Sequence, residues 1–202
     1  MPTDQAEVDL DIQFEVPDDL FSLAVECDDA EAAAAHAAFL DEHLPADAPA
    51  EVRPQALAQL AAIRRELIDG QVRYLGLASA DIDGHWVLCL FGVSVATFWI
   101  RDVVHPGNLL AAVLGHQLDP EQALIEEFDT PHGPAVGVRR AEVLTVPQTD
   151  PPRQVDTGAA QVVVMFPVLD VVGVVSGFCL DLDDIDLTAA VVGQIAHTLV
   201  IT

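Results

Sequence analysis

Ala159–Leu182 reads AAQVVVMFPVLDVVGVVSGFCLDL: two valine-rich apolar runs on either side of Pro167 and a turn near Asp170. β-Branched and aromatic residues suit a pleated, packed surface, and short apolar runs bounded by turn residues are strand signals. The stretch predicts a hairpin. Because both of its strands are apolar on both faces, both belong in the interior of a sheet rather than at its edge.

Working outward, Val72–Phe98 (VRYLGLASADIDGHWVLCLFGVSVATF) predicts a second hairpin turning at Asp83-Gly84, with a central second strand. Between the hairpins, HPGNLLAAVLGHQLDP (105–120) reads as a helix and ALIEEFD (123–129) as a short strand. Next, DTPHGPAVGVRR (129–140) places two prolines and two glycines before a strand that starts at Ala135. This is turn chemistry, since a phosphate cradle needs consecutive backbone amides at a helix N-terminus. Alternation then sends Arg139 and Arg140 to opposite faces, and Arg139 or Arg140 is expected to answer nearby carboxylates. PQTDPPRQVDTG (147–158) reads as a loop.

Towards the N-terminus, VDLDIQFEVP (8–17) alternates with period two and predicts a half-buried strand. Two helices follow. The first, 28–44, is alanine-rich, with Asp28 or Asp29 as N-cap and His36 and His43 read as surface histidines. The second, 55–70, buries Leu57, Leu60, Ile63 or Arg64, and Leu67, leaving Arg64-Arg65 on a solvated face. DDIDLTAAVVGQIAHTLVI (183–201) closes the chain as a helix with a stripe of Leu187, Val191, Ile195 and Leu199. Together these elements predict an α+β fold: a largely antiparallel sheet of about six strands flanked by helices, a single domain over 8–202 after a flexible 1–7.

Charge is the strongest global signal. The net charge is −25, and residues 1–52 hold 15 acids with no Lys or Arg. All eight basic side chains are arginines. A field of this sign repels nucleic acid and anionic membrane, so neither is an expected partner. No apolar run is long enough to span a bilayer, and the acidic start lacks the features of a secretory signal. Three widely spaced cysteines, Cys27, Cys89 and Cys179, form no CxxC and fit a reducing cytoplasm.

Catalytic and metal motifs do not organise the remaining polar residues. Asp181, Asp183, Asp184 and Asp186 resemble a calcium loop only in composition and are read as helix caps. His85, His105, His116 and His132 follow no zinc-ligand spacing, and Ser94 and Ser176 sit in no nucleophile elbow. The expectation is a non-enzymatic chain with no cofactor and no metal.

GPAVGVRR (133–140), the hairpin QVVVMFPVLDVVGVVSGF and the final IAHTL helix together resemble uncharacterised actinobacterial proteins of the PsbP-like α/β sandwich type. Some of those are encoded near type VII secretion genes. The resemblance implies no catalytic residue.

The expected function is therefore a cytoplasmic, non-catalytic interaction protein, an accessory or chaperone-like partner of a basic protein, with a link to secretion. Its acidic face would comprise Glu26, Asp28, Asp29, Glu31, Asp41 and Glu42. Two alternatives stand beside it: an immunity-type inhibitor of a basic toxin, and a small-ligand-binding domain. The latter requires a pocket between sheet and helices near Trp86, His132, Arg139 and Arg140.

Overall fold

A computed structural model describes residues 10–17, 20–23, 25, 27–45, 49–70, 72–82, 85–97, 123–146 and 153–202. The predicted helix at 105–120 and the turn residues Asp83 and Gly84 lie outside these. In chain order the described elements are β1 (Ile12–Gln13), β2 (Phe21–Ser22), α1 (Asp29–His43), α2 (Val52–Asp69), β3 (Val72–Ile82) and β4 (His85–Thr97). Then come β5 (Ala123–Thr130), β6 (Gly133–Val146), β7 (Arg153–Phe166), β8 (Val171–Cys179), α3 (Ile185–Thr198) and β9 (Val200–Ile201). The fold is α+β, as expected. Its main sheet is antiparallel throughout, with seven strands in the order β2-β3-β4-β8-β7-β6-β5, and β1 pairs with β9 in a second, two-stranded sheet.

The opening hairpin forms β7 and β8, which turn at Asp170, a non-glycine residue with φ of 54°. Aspartate tolerates this left-handed conformation better than most side chains. β8 then pairs with β4 from Cys89↔Cys179 to Thr97↔Val171, joining the two predicted hairpins at the centre of the sheet. The reading of 147–158 as a loop is corrected from Arg153 onward: β7 starts there, and Val146 pairs with Arg153. Pairing with β6 overrides the local turn composition.

One face of the sheet is sealed by α3, which packs across β7 and β8. The helix comes close because Gly177 and Gly173 lie beneath it. A Cβ on Gly177 would stand 2.6 Å from Val192 Cγ2, and one on Gly173 would strike Leu199. Val192, Ile195, Ala196 and Leu199 are fully buried against Phe91, Val162, Val164 and Val175. Each of these valine, isoleucine, leucine and phenylalanine side chains contributes roughly 1.5–3 kcal/mol by leaving water. Two details of the predicted C-terminal helix are corrected. Its fully buried stripe runs through Thr188 and Val192, which sit over Gly177, while Leu187 is exposed and Val191 only partly buried against the core. The helix also stops at Thr198, where β-branched Val200 and Ile201 extend to pair with Gln13 and Ile12.

The N-terminal alternation holds. Leu10, Ile12, Phe14 and Val16 pack on the same core, with Phe14 edge-on to Tyr74 at 5.4 Å between ring centres. Burial pushes the Tyr74 phenol up from its ordinary value. Burial likewise pushes up the Cys89 thiol, with a hydrogen bond between it and Thr188 opposing the effect and Cys179 and Asp184 adding to it. The unfolded chain therefore loses these protons first. Their contribution to stability is complete below the ordinary thiol value of 9.0 and declines as pH rises through the folded values. Denaturant midpoints measured from neutral to alkaline pH should fall once pH passes about 9 and continue to fall through the phenol range; a flat profile would contradict the buried placement of both groups.

Candidate functional site

The opposite face of the sheet stays partly open and carries a groove of about 420 Å³. Side chains alternate across the strands, so Val172, Val174, Ser176 and Phe178 of β8 point away from α3. The floor is built from small or polar positions: Gly92 and Ser94 on β4, Ser176 on β8, Ala159 and Gln161 on β7. Larger apolar residues, Leu90, Phe178, Leu75 and Leu67 of α2, form the walls. The groove exists because the central residues are too short to fill the space that the outer ones enclose. Within it Gln161 Nε2 donates to Ser176 Oγ at 2.9 Å, and Arg140 donates to Glu142 at 2.6–2.7 Å.

The structure separates three of the four residues expected at a pocket. Arg140 lines this groove. Arg139 points to the other face, as the alternation required, and reaches Asp186 of α3 at 2.5 Å and Glu126 of β5 at 3.8 Å. It borders a second groove of about 310 Å³ between α3, β5 and β6. His132 sits in the β5–β6 turn, beside a third depression formed with Phe166, Val168 and Ile201. In that turn Thr130 Oγ1 accepts from the His132 and Gly133 amides at 3.3 and 3.2 Å, so the proline–glycine cluster at 131–134 is turn chemistry. The backbone of Trp86 lies in β4, and its side chain is outside the described residues.

The expected acidic face maps onto α1, except for Glu26, which lies outside the described residues. Asp28 caps α1, accepting from the Ala30 and Glu31 amides at 2.8 and 2.9 Å. Asp29 pairs with Arg64 at 2.6 Å and Asp41 with Arg53 at 2.8 Å, while Glu31 and Glu42 are exposed. Two of these acids, Asp29 and Asp41, are therefore engaged in building the α1–α2 pair, and Asp28 in starting α1. Asp181, Asp184 and Asp186 are likewise placed structurally: Asp181 caps the 3₁₀ turn Leu182–Asp184, Asp184 is buried at the start of α3, and Asp186 holds Arg139.

Two readings are corrected. Arg64 is not on a solvated face: its side chain is buried between α1 and α2, where it donates to Asp29 and to the Cys27 carbonyl. Ile63 is exposed in its place, since the Cys27 carbonyl needs a donor that isoleucine lacks. His36 is buried too, with Nε2 3.2 Å from the Leu23 carbonyl, whereas His43 is exposed as expected. Both buried polar residues satisfy backbone groups at the chain's entry into α1.

No helix among the described residues is long and apolar enough to cross a membrane. No family model, curated protein or solved structure matches the chain. What fold and site define together is an α+β protein with one helix-sealed sheet face and one grooved face.

Hydrogen bonds from a charged donor are worth about 1.5–3 kcal/mol. Arg64→Ala should therefore lower unfolding stability by about 2 kcal/mol, whereas Arg65→Ala, exposed and bonded within its own helix, should change it by less than about 0.5 kcal/mol. Chemical denaturation of the two variants checks this; equal effects would refute the clamp.

Proposed function

We propose that this chain is a non-catalytic binding protein that holds a basic partner protein in a chaperone-like way. In this reading, the open groove takes an apolar segment of that partner. The observation that carries it is the groove itself, an apolar-walled recess across the central strands of the sheet, in a chain of net charge −25. Apolar walls supply the affinity, and the acidic field speeds the approach of a positive partner and disfavours acidic competitors. A cytoplasmic accessory role in secretion, and kinship with the PsbP-like proteins, belong to the same proposal. An immunity-type inhibitor would use the same partner chemistry and would be distinguished by rescue of cells from a toxin.

The groove also favours a second reading, a small-ligand domain. Its volume falls within the roughly 300–1,000 Å³ range of small-molecule sites. Ser94, Gln161 and Arg140 would orient a polar group there.

Capture from the host's lysate at low and high salt, with partners identified by mass spectrometry, separates the readings. The proposal expects one basic protein, retained less as salt rises. Leu90→Asp, a change at a wall residue 39% exposed, should abolish capture while the chain still unfolds cooperatively. Undiminished capture by that variant would overturn the groove's role. A small molecule retained in native mass spectra, with no protein captured, would favour the second reading.

A further inference from the structure

Cys89 and Cys179 face each other across the β4–β8 ladder as its first pair. The Leu180 amide donates to the Leu88 carbonyl at 3.3 Å, so the hydrogen-bonded position is Leu88–Leu180 and the cysteines occupy the adjacent non-hydrogen-bonded one. Residues opposed in that position approach to about 4.5 Å between Cα atoms, and their Cβ atoms stand at the near end of about 4.5–5.5 Å. A disulfide spans Cα separations of about 4.4–6.8 Å and Cβ separations of about 3.5–4.5 Å. The register therefore brings the two thiols within bridging reach.

Both sulfurs lie on the face covered by α3, and both cysteines are buried. Cys89 Sγ is 3.3 Å from Thr188 Oγ1. Cys179 Sγ turns towards β7 and donates to the Gly158 carbonyl at 3.5 Å. It has room there because Gly158 has no side chain: a Cβ would stand 2.6 Å from Cys179 Sγ and 3.0 Å from Ile185 Cβ. Ile185 and Thr188, one turn apart at the start of α3, thus cover the pair. The cover is one helical turn deep, and Leu180 and Asp181, which lead the chain from Cys179 towards α3, are exposed. The third cysteine, Cys27, precedes α1, and its thiol is directed to the Asp28 carbonyl.

We propose that Cys89 and Cys179 are a site of reversible oxidation, closed by hydrogen peroxide into a cross-strand disulfide. One cysteine, as thiolate, attacks a peroxide oxygen; the O–O bond breaks, a sulfenic acid forms, and the departing hydroxide takes up the thiol proton to leave as water. The second thiol attacks that sulfur; the S–O bond breaks, the S–S bond forms, and its proton leaves with the hydroxyl as a second water. The two thiols lose two electrons, and the peroxide is reduced by the same two. Burial pushes the Cys89 thiol up, and the thiolate is the reacting form, so opening of the first turn of α3 sets the rate. Closure takes Cys89 off Thr188 and Cys179 off Gly158, and it ties β8 to β4 where the chain departs for α3. The site stands independently of what the groove holds.

The test treats the full native chain with hydrogen peroxide, blocks remaining thiols by alkylation, and digests without reduction. Mass spectrometry should find the Cys89 and Cys179 peptides joined, two hydrogens lighter than their sum, and dithiothreitol should separate them. Cys27→Ser should leave the link intact, whereas Cys89→Ser and Cys179→Ser should each abolish it. Thr188→Ala, which thins the cover over Cys89, should speed closure severalfold. The oxidised chain should unfold at a higher denaturant midpoint than the reduced one, because the bridge restricts the unfolded state. The proposal is overturned if both thiols remain alkylatable after prolonged treatment, or if they pass to sulfinic acids with no link. Links only to Cys27 or between chains, a link made only in the denatured chain, or a lowered midpoint on oxidation would overturn it equally.

Discussion

Helix α3 lies flat on the sheet because β8 presents no side chain beneath it at Gly173 and Gly177. A methyl group at Gly177 would stand 2.6 Å from Val192 and 2.7 Å from Thr188, well inside contact distance. Interiors are packed too densely to absorb such an intrusion without moving the helix. From this close fit follow the complete burial of Val192, Ile195 and Leu199, and the position of Asp186 over Arg139. The end of α3 is placed by the same contact. Thr198 Oγ1 there accepts from the Glu15 amide at 2.9 Å, and β9 runs on to pair with β1, tying the N-terminal segment to the core.

With one face sealed in this way, the character of the other is set by which residues alternate outward. Ser176 and Phe178 share β8 with the glycine seats but point the opposite way, one to the groove floor and one to its wall. The same two-residue period sends Arg139 to α3 and Arg140 to the groove. A single slip of register would exchange the core with the groove lining, which is why a sheet so strongly packed on one side defines the recess on the other.

Much of this architecture was legible because strand signals are local. The valine runs around Asp170 gave away two interior strands, and the alternation of Leu10, Ile12, Phe14 and Val16 named the residues that meet the core. Other features depended on distant partners. Arg64 and His36 are buried because the Cys27 and Leu23 carbonyls need donors, a demand invisible in helical periodicity. Arg153–Gly158 looks like a loop until Glu142–Val146 and Cys179 pair with it. For the site, the sequence singled out Arg140 but could not show that Gly92, Ser94, Gln161 and Ser176 together leave a recess, because that depends on three strands meeting. Position along the chain likewise grouped Trp86, His132, Arg139 and Arg140, whereas the sheet sends Arg139, Arg140 and His132 to different surfaces.

The seat of α3 on β8 is tested most directly by equilibrium unfolding of Gly177→Val, alone and combined with Val192→Ala. Overpacking of a dense core costs about 1–3 kcal/mol. The single variant should lower the denaturant midpoint by an amount in that range with little change in slope, and the second substitution should restore part of the loss by making room. An unchanged midpoint for Gly177→Val, or a double variant whose losses merely add, would contradict the account.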